Sequence, residues 1–132
     1  MKRALFALLL LAALVSGCGG SKTPQSAFCQ STETVKSDAN TLKSNLKSSP
    51  SLSTLTSDLQ QLQKDVNTAI AETKNQAKPH VSALKTSMEQ LKGTLHQVKD
   101  KQMTLRAAVP TLKTQAQTVS QNWQTLKSAM KC

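Results

Sequence analysis

The chain has 132 residues and a mass of 14.2 kDa, which allows one domain at most. It is 38% hydrophobic, 2% aromatic and 18% charged, and 17 Lys and Arg against 7 Asp and Glu give it a net charge of +10. Its aromatics are Phe6, Phe28 and Trp123, too few to line the large apolar pocket of a typical enzyme, so no enzymatic activity is expected.

Lys2 and Arg3 open the chain, and an apolar run follows from Ala4 to Val15. The run is shorter than the about 20 residues a spanning helix needs. Its three-part build is that of a secretory signal peptide. Val15-Ser16-Gly17-Cys18 then resembles the lipobox of bacterial membrane lipoproteins: an aliphatic residue, two small residues and the cysteine. The resemblance covers residues 1 to 18 and implies that residues 1–17 are removed as a signal peptide. It also implies that Cys18 carries a covalent diacylglyceryl group and an N-acyl chain, such as palmitate; no other cofactor and no metal is expected. Removing residues 1–17 takes Lys2 and Arg3 and leaves 15 basic against 7 acidic residues, or +8. Two acyl chains or more make attachment stable where one is marginal. The implied location is exported and lipid-anchored, on the cell membrane or, since Gly19 rather than aspartate follows Cys18, on the outer membrane of a two-membrane cell.

Residues 18–27 read as the lipidated cysteine and a flexible tether, because Gly19 to Ser26 are small, polar and Gly/Ser/Pro-containing. Those eight residues reach about 25 Å when extended. A helical domain is expected over 28–132. In an oxidising compartment the remaining pair, Cys29 and Cys132, reads as a disulfide, with free thiols or an intermolecular bridge as alternatives. An intramolecular bridge would close about 100 residues, worth about 4 to 5 kcal/mol on the chain-entropy model.

Apolar residues recur at spacings of three and four in three series. The first is Phe28, Val35, Ala39, Leu42, Leu46, with Thr32 at one seam position. The second is Leu52, Leu55, Leu59, Leu62, Val66, Ala69. The last runs from Val81 through Leu84, Met88, Leu91, Leu95 and Val98 to Leu105, Val109, Leu112, Ala116, Val119, Trp123, Leu126 and Met130, with Gln102 its one polar member. This is the heptad pattern of coiled coils. Ser48 to Ser51 separate the first two series, with Ser49 as the expected cap and Pro50 at N1. Lys78-Pro79-His80 separate the second from the last. The spacing passes straight through Pro110, which is expected to kink a helix rather than end it.

A Cys29–Cys132 bridge restricts the layout. The fold expected is all-α, an antiparallel coiled-coil hairpin turning near Pro79 with kinked arms. The alternative is an up-down-up-down four-helix bundle with turns at Pro50, Pro79 and Pro110. The narrow apolar stripe, flanked mostly by Thr, Ser, Gln and Lys, favours the hairpin, since bundle helices usually need a wider apolar face. Trp123 is expected in the core, across from Val35 to Ala39.

With Val81 at a and Leu84 at d, residues Lys85, Lys92, Lys99, Arg106, Lys113 and Lys127 all fall at e, and Ser120 interrupts the row. Lys36 and Lys43 hold the same relation to the first series, while Asp58, Asp65 and Glu72 recur at g of the second. In an antiparallel pair e faces e and g faces g, so the basic and acidic rows do not neutralise one another. Such a row is usually a solvated flank that shields the seam with its methylene stems. It is also the candidate surface for an anionic lipid headgroup, an anionic wall polymer or an acidic helical protein partner; nucleic acid is not an expected partner. His80 and His96, 16 residues apart, do not form a metal pair.

The expected function is that of a non-catalytic, lipid-anchored helical spacer, scaffold or adaptor of the bacterial envelope. The alternative is a binding module using the basic row. The chain resembles small helical, Lys-rich lipoproteins, and it is similar to the major outer-membrane lipoprotein in being lipidated and helical. That family's terminal lysine, joined to the wall, is not carried over to Lys131-Cys132.

Overall fold

A computed structural model describes residues 23–132. Residues 1–17, expected as a signal peptide, Cys18, expected as the lipidation site, and residues 19–22 lie outside the described residues. Four helices and no strand occur among the residues described: α1 (Pro24–Lys47), α2 (Leu52–Glu72), α3 (Lys78–Lys99) and α4 (Leu105–Ala129). At about 1.5 Å per residue each is roughly 32 to 38 Å long.

Three of the four helices, α1, α2 and α4, start where short hydroxyl side chains can satisfy the open N–H groups of a first turn, whereas α3 follows Ala77 with no side-chain cap. Thr23 Oγ1 accepts from Ser26 N at 3.1 Å, Ser51 Oγ from Thr54 N at 3.1 Å and Thr104 Oγ1 from Ala107 N at 3.2 Å. The cap of α2 is thus Ser51 and not Ser49, and Pro50 precedes the helix instead of opening it. With Thr23 as its cap, α1 begins at Pro24, inside the stretch read as tether. Pro79 sits in the first turn of α3, and the preceding break is residues 73–77.

Of the two layouts the chain adopts the four-helix bundle. Asn45 Nδ2 donates to Asp58 Oδ2 at 2.6 Å and Ser31 Oγ to Glu72 Oε2 at 2.5 Å, which lays α1 antiparallel along α2. In the long hairpin these two segments would be consecutive parts of one arm and could not lie side by side. Asn122 Nδ2 donates to the Ala83 carbonyl at 3.2 Å and joins α4 to α3. The ring closes through α2 against α3 and α1 against α4. The long hairpin is therefore corrected to an up-down-up-down bundle.

Its third turn is at residues 100–104, before Pro110, which lies inside α4. Lys101 adopts the left-handed conformation, φ 59°, and two backbone bonds reach back from it: Lys101 N to Val98 O at 3.1 Å and Gln102 N to Gln97 O at 2.9 Å. That is the Schellman arrangement, built on a lysine where glycine is usual. Crossing the turn shifts the phase by one residue, so Ala108 is buried and Val109 is only half-buried. Further along α4 the expected positions return, from Leu112 to Met130.

The core runs the length of the bundle, from Phe28 and Trp123 at one end to Leu46 and Leu55 towards the other. Trp123, 3% exposed, lies in the core as expected, and its ring stands against Phe28 with centroids 5.2 Å apart. Thr32, Thr73, Ser87 and Thr94 are the buried polar residues among those described. Each hydroxyl donates to a carbonyl of the preceding turn: to Cys29 O, Ile70 O, Leu84 O and Gln90 O, at 2.7, 2.8, 2.8 and 3.3 Å. Bound in this way, small hydroxyl side chains serve as interior surface and widen the apolar stripe.

Candidate functional site

One end of the bundle gathers the N-terminus of α1, the 73–77 turn and the C-terminus of α4. Gln25 Nε2 donates to Lys131 O at 3.2 Å. Another left-handed lysine, Lys131 with φ 59°, turns the chain after α4: Lys131 N donates to Ser128 O at 3.0 Å and Cys132 N to Lys127 O at 3.1 Å. This turn delivers Cys132 to Cys29 at disulfide distance, with Cα atoms 5.5 Å apart. The opposite end holds the 48–51 and 100–104 turns.

The basic row is divided by the fold. The turn at 100–104 separates Lys99 from Arg106 and reverses the chain, so the six residues fall on two helices and face two grooves. Lys92 and Lys99 on α3 border the groove with α2 among Thr56, Gln60 and Gln63, and Lys85 borders it further along, beside Ile70 and Thr73. Lys113 on α4 borders the groove with α1, beside Lys43 and Lys47. Arg106 and Lys127 occupy the same heptad position as Lys113. In a ring of four helices those two grooves are on opposite faces. Five of the six side chains are exposed and Lys127 is half-buried.

The two grooves differ in charge. Beside the α2–α3 groove, Lys92 Nζ lies 3.9 Å from Glu89 and His96 Nε2 lies 3.1 Å from Asp100, so acids stand among the cations. The α1–α4 groove, about 260 Å³, is lined by Lys43, Leu46, Lys47, Lys113 and Gln117, with no acidic side chain. Lys47 was outside the expected row because it follows the seam at a different heptad position; only the pairing of α1 with α4 brings it to Lys113.

The acidic row at g faces g of α1, as the antiparallel rule expects. Asp58 accepts from Asn45, Glu72 from Ser31, and Asp65 meets Asp38. Burial, first, and then the hydrogen bond and charge of Asp65 push the Asp38 carboxyl up to about 6. Asp65 is held below its ordinary value by that same hydrogen bond and by Gln61, whose Nε2 donates to Asp65 Oδ2 at 2.6 Å. The two carboxyls share one proton over the window between them.

Among the described residues no helix is long and apolar enough to cross a membrane, and no group of His, Cys, Asp and Glu is placed to hold a metal ion. In comparisons with known proteins, no family model, curated protein or solved structure matched the chain.

Proposed function

We propose that the chain is a lipid-anchored, non-catalytic helical protein of a bacterial envelope that serves as a short, stiff spacer or scaffold. The lipobox Val15-Ser16-Gly17-Cys18 carries this proposal. The bundle supports it by its placement: α1 begins at Pro24, six residues after Cys18, a reach of at most about 20 Å. The opposite end would then stand about 36 Å beyond the tethered one. Exchanging Cys18→Ala should move the chain from the membrane fraction to the soluble one, and a variant that stays with the membrane would overturn the anchor.

A second reading, a binding module for an anionic partner, is favoured by the acid-free α1–α4 groove. Co-sedimentation with purified envelopes separates the two: a pure spacer shows no salt-sensitive binding once the lipid is removed, and a binding module does.

A further inference from the structure

The α1–α4 face concentrates positive charge that the fold itself does not use. Helix α4 carries Arg106, Lys113 and Lys127 and no acid at all. On α1, Lys36 and Lys43 follow Cys29 by one and two heptads, and Cys29 marks the edge that meets α4. Asp38 is turned to α2, and Glu33 lies ten residues before Lys43, about 15 Å along the axis. Around Lys43, Lys47 and Lys113 three ammonium groups border one groove with no counter-charge lining it. Like charges held close together oppose folding, so this cluster lowers the stability of the free protein, and an anion between the helices would relieve it.

We propose that the α1–α4 groove, centred on Lys43, Lys47 and Lys113, binds a linear, phosphate-bearing polyanion, met in the envelope as an anionic wall polymer. Several observations define that partner. Lys36 and Lys43, and Arg106 and Lys113, are each one heptad or about 10.5 Å apart along the axis, with Lys47 one turn beyond Lys43 and Lys127 two heptads beyond Lys113, a spread that fits a chain of repeated charges better than one small anion. They are mainly lysines, compact point charges suited to phosphate, with Arg106 the one guanidinium fork in the row. Single-stranded nucleic acid is disfavoured because its bases need exposed aromatic rings to stack on, whereas Phe28 and Trp123 are buried in the core. The opposite α2–α3 groove, with Glu89 and Asp100 among its lysines, is the weaker site.

For the source of the ligand the proposal rests on the envelope reading; for the binding it rests on the groove alone. The test uses the full chain purified in a neutral detergent, with long-chain inorganic polyphosphate as the probe at low and high salt. Lys43→Gln, Lys47→Gln and Lys113→Gln combined should weaken binding about tenfold or more and reduce its salt dependence. The matched set Lys85→Gln, Lys92→Gln and Lys99→Gln should change affinity by less than about threefold. Without polyphosphate the first triple variant should melt at or above the parent's temperature, which shows that it is folded. Equal losses in the two sets, or no binding by the parent, would overturn the proposal. So would binding to phosphatidylglycerol vesicles through these lysines without binding to polyphosphate, which would make the partner a lipid surface. Failure of the anchor appears separately, in the fractionation of the Cys18→Ala chain.

Discussion

Asp38 and Asp65 set the dependence of the bundle on pH. The Asp38 carboxyl, raised to about 6 from an ordinary 3.8, keeps a proton in the folded chain that the unfolded chain releases near pH 4. Stability therefore falls as pH rises from about 4 through about 6 and stays lower above that. Asp65 works in the other direction: with its folded value lowered, it adds stability above the ordinary carboxylate value and loses it as pH falls below. A maximum between the two titrations follows. Asp38→Asn keeps a donor for Asp65 while removing one charge, so thermal melts should show a higher melting temperature at pH 7.5 and a flatter profile between pH 4 and 7. A variant less stable than the parent at pH 7.5 would contradict this account of the pair. The partner was legible in part: Asp65 stands in a heptad row at g, and g faces g. Asp38 stands at g of α1 between Ser31 and Asn45, a row with no charge repeat to mark it, and only the α1–α2 pairing brings the two together.

At the scale of the helix, seam positions were more legible than helix ends. Seam positions followed from spacing because burial tracks the apolar side chains wherever a helix is continuous, as from Leu84 to Val98. The turn at 100–104 was concealed by its composition: a lysine holds the left-handed position where glycine would have marked it, and the three-four spacing runs through the loop unbroken. Gln102, the polar interruption in the series, was the one mark of it, and it is exposed in that turn. The narrow stripe misled for a different reason. Thr32, Ser87 and Thr94 count as polar in a sequence, yet each directs its hydroxyl back to its own helix and leaves a small, satisfied interior surface. The cap of α2 offers a measurement at this scale. Ser51→Ala should destabilise the chain by about 1 kcal/mol in denaturant unfolding, whereas Ser49→Ala should be nearly neutral. The reverse ranking would place the helix start at Pro50.

For the whole molecule, charge and covalent closure are both arranged by topology. Reversing the chain at 100–104 sends half of one basic row to each of two opposite grooves, so a row that looks continuous in sequence becomes two surfaces with different neighbours. The same topology returns the C-terminus of α4 to the start of α1, where the cysteines meet across 103 residues of sequence. Cys132→Ser should cost about 4 kcal/mol, a fall on the order of 15 °C in melting temperature, with helix content by circular dichroism almost unchanged. Unchanged melting would mean that no bond joins the two cysteines. With Cys18 lipidated as proposed, closure at the Cys29 end would leave the 48–51 and 100–104 turns, with the groove of Lys43, Lys47 and Lys113 nearby, facing away from the lipid.

Anchor and closure together can be read from one intact mass, taken under non-reducing conditions on the chain extracted from membranes. The expected species begins at Cys18, carries the diacylglyceryl and N-acyl groups, and lacks the two hydrogens of paired thiols. A species beginning at Met1, or one cleaved with an unmodified Cys18, would contradict the lipid-anchored spacer.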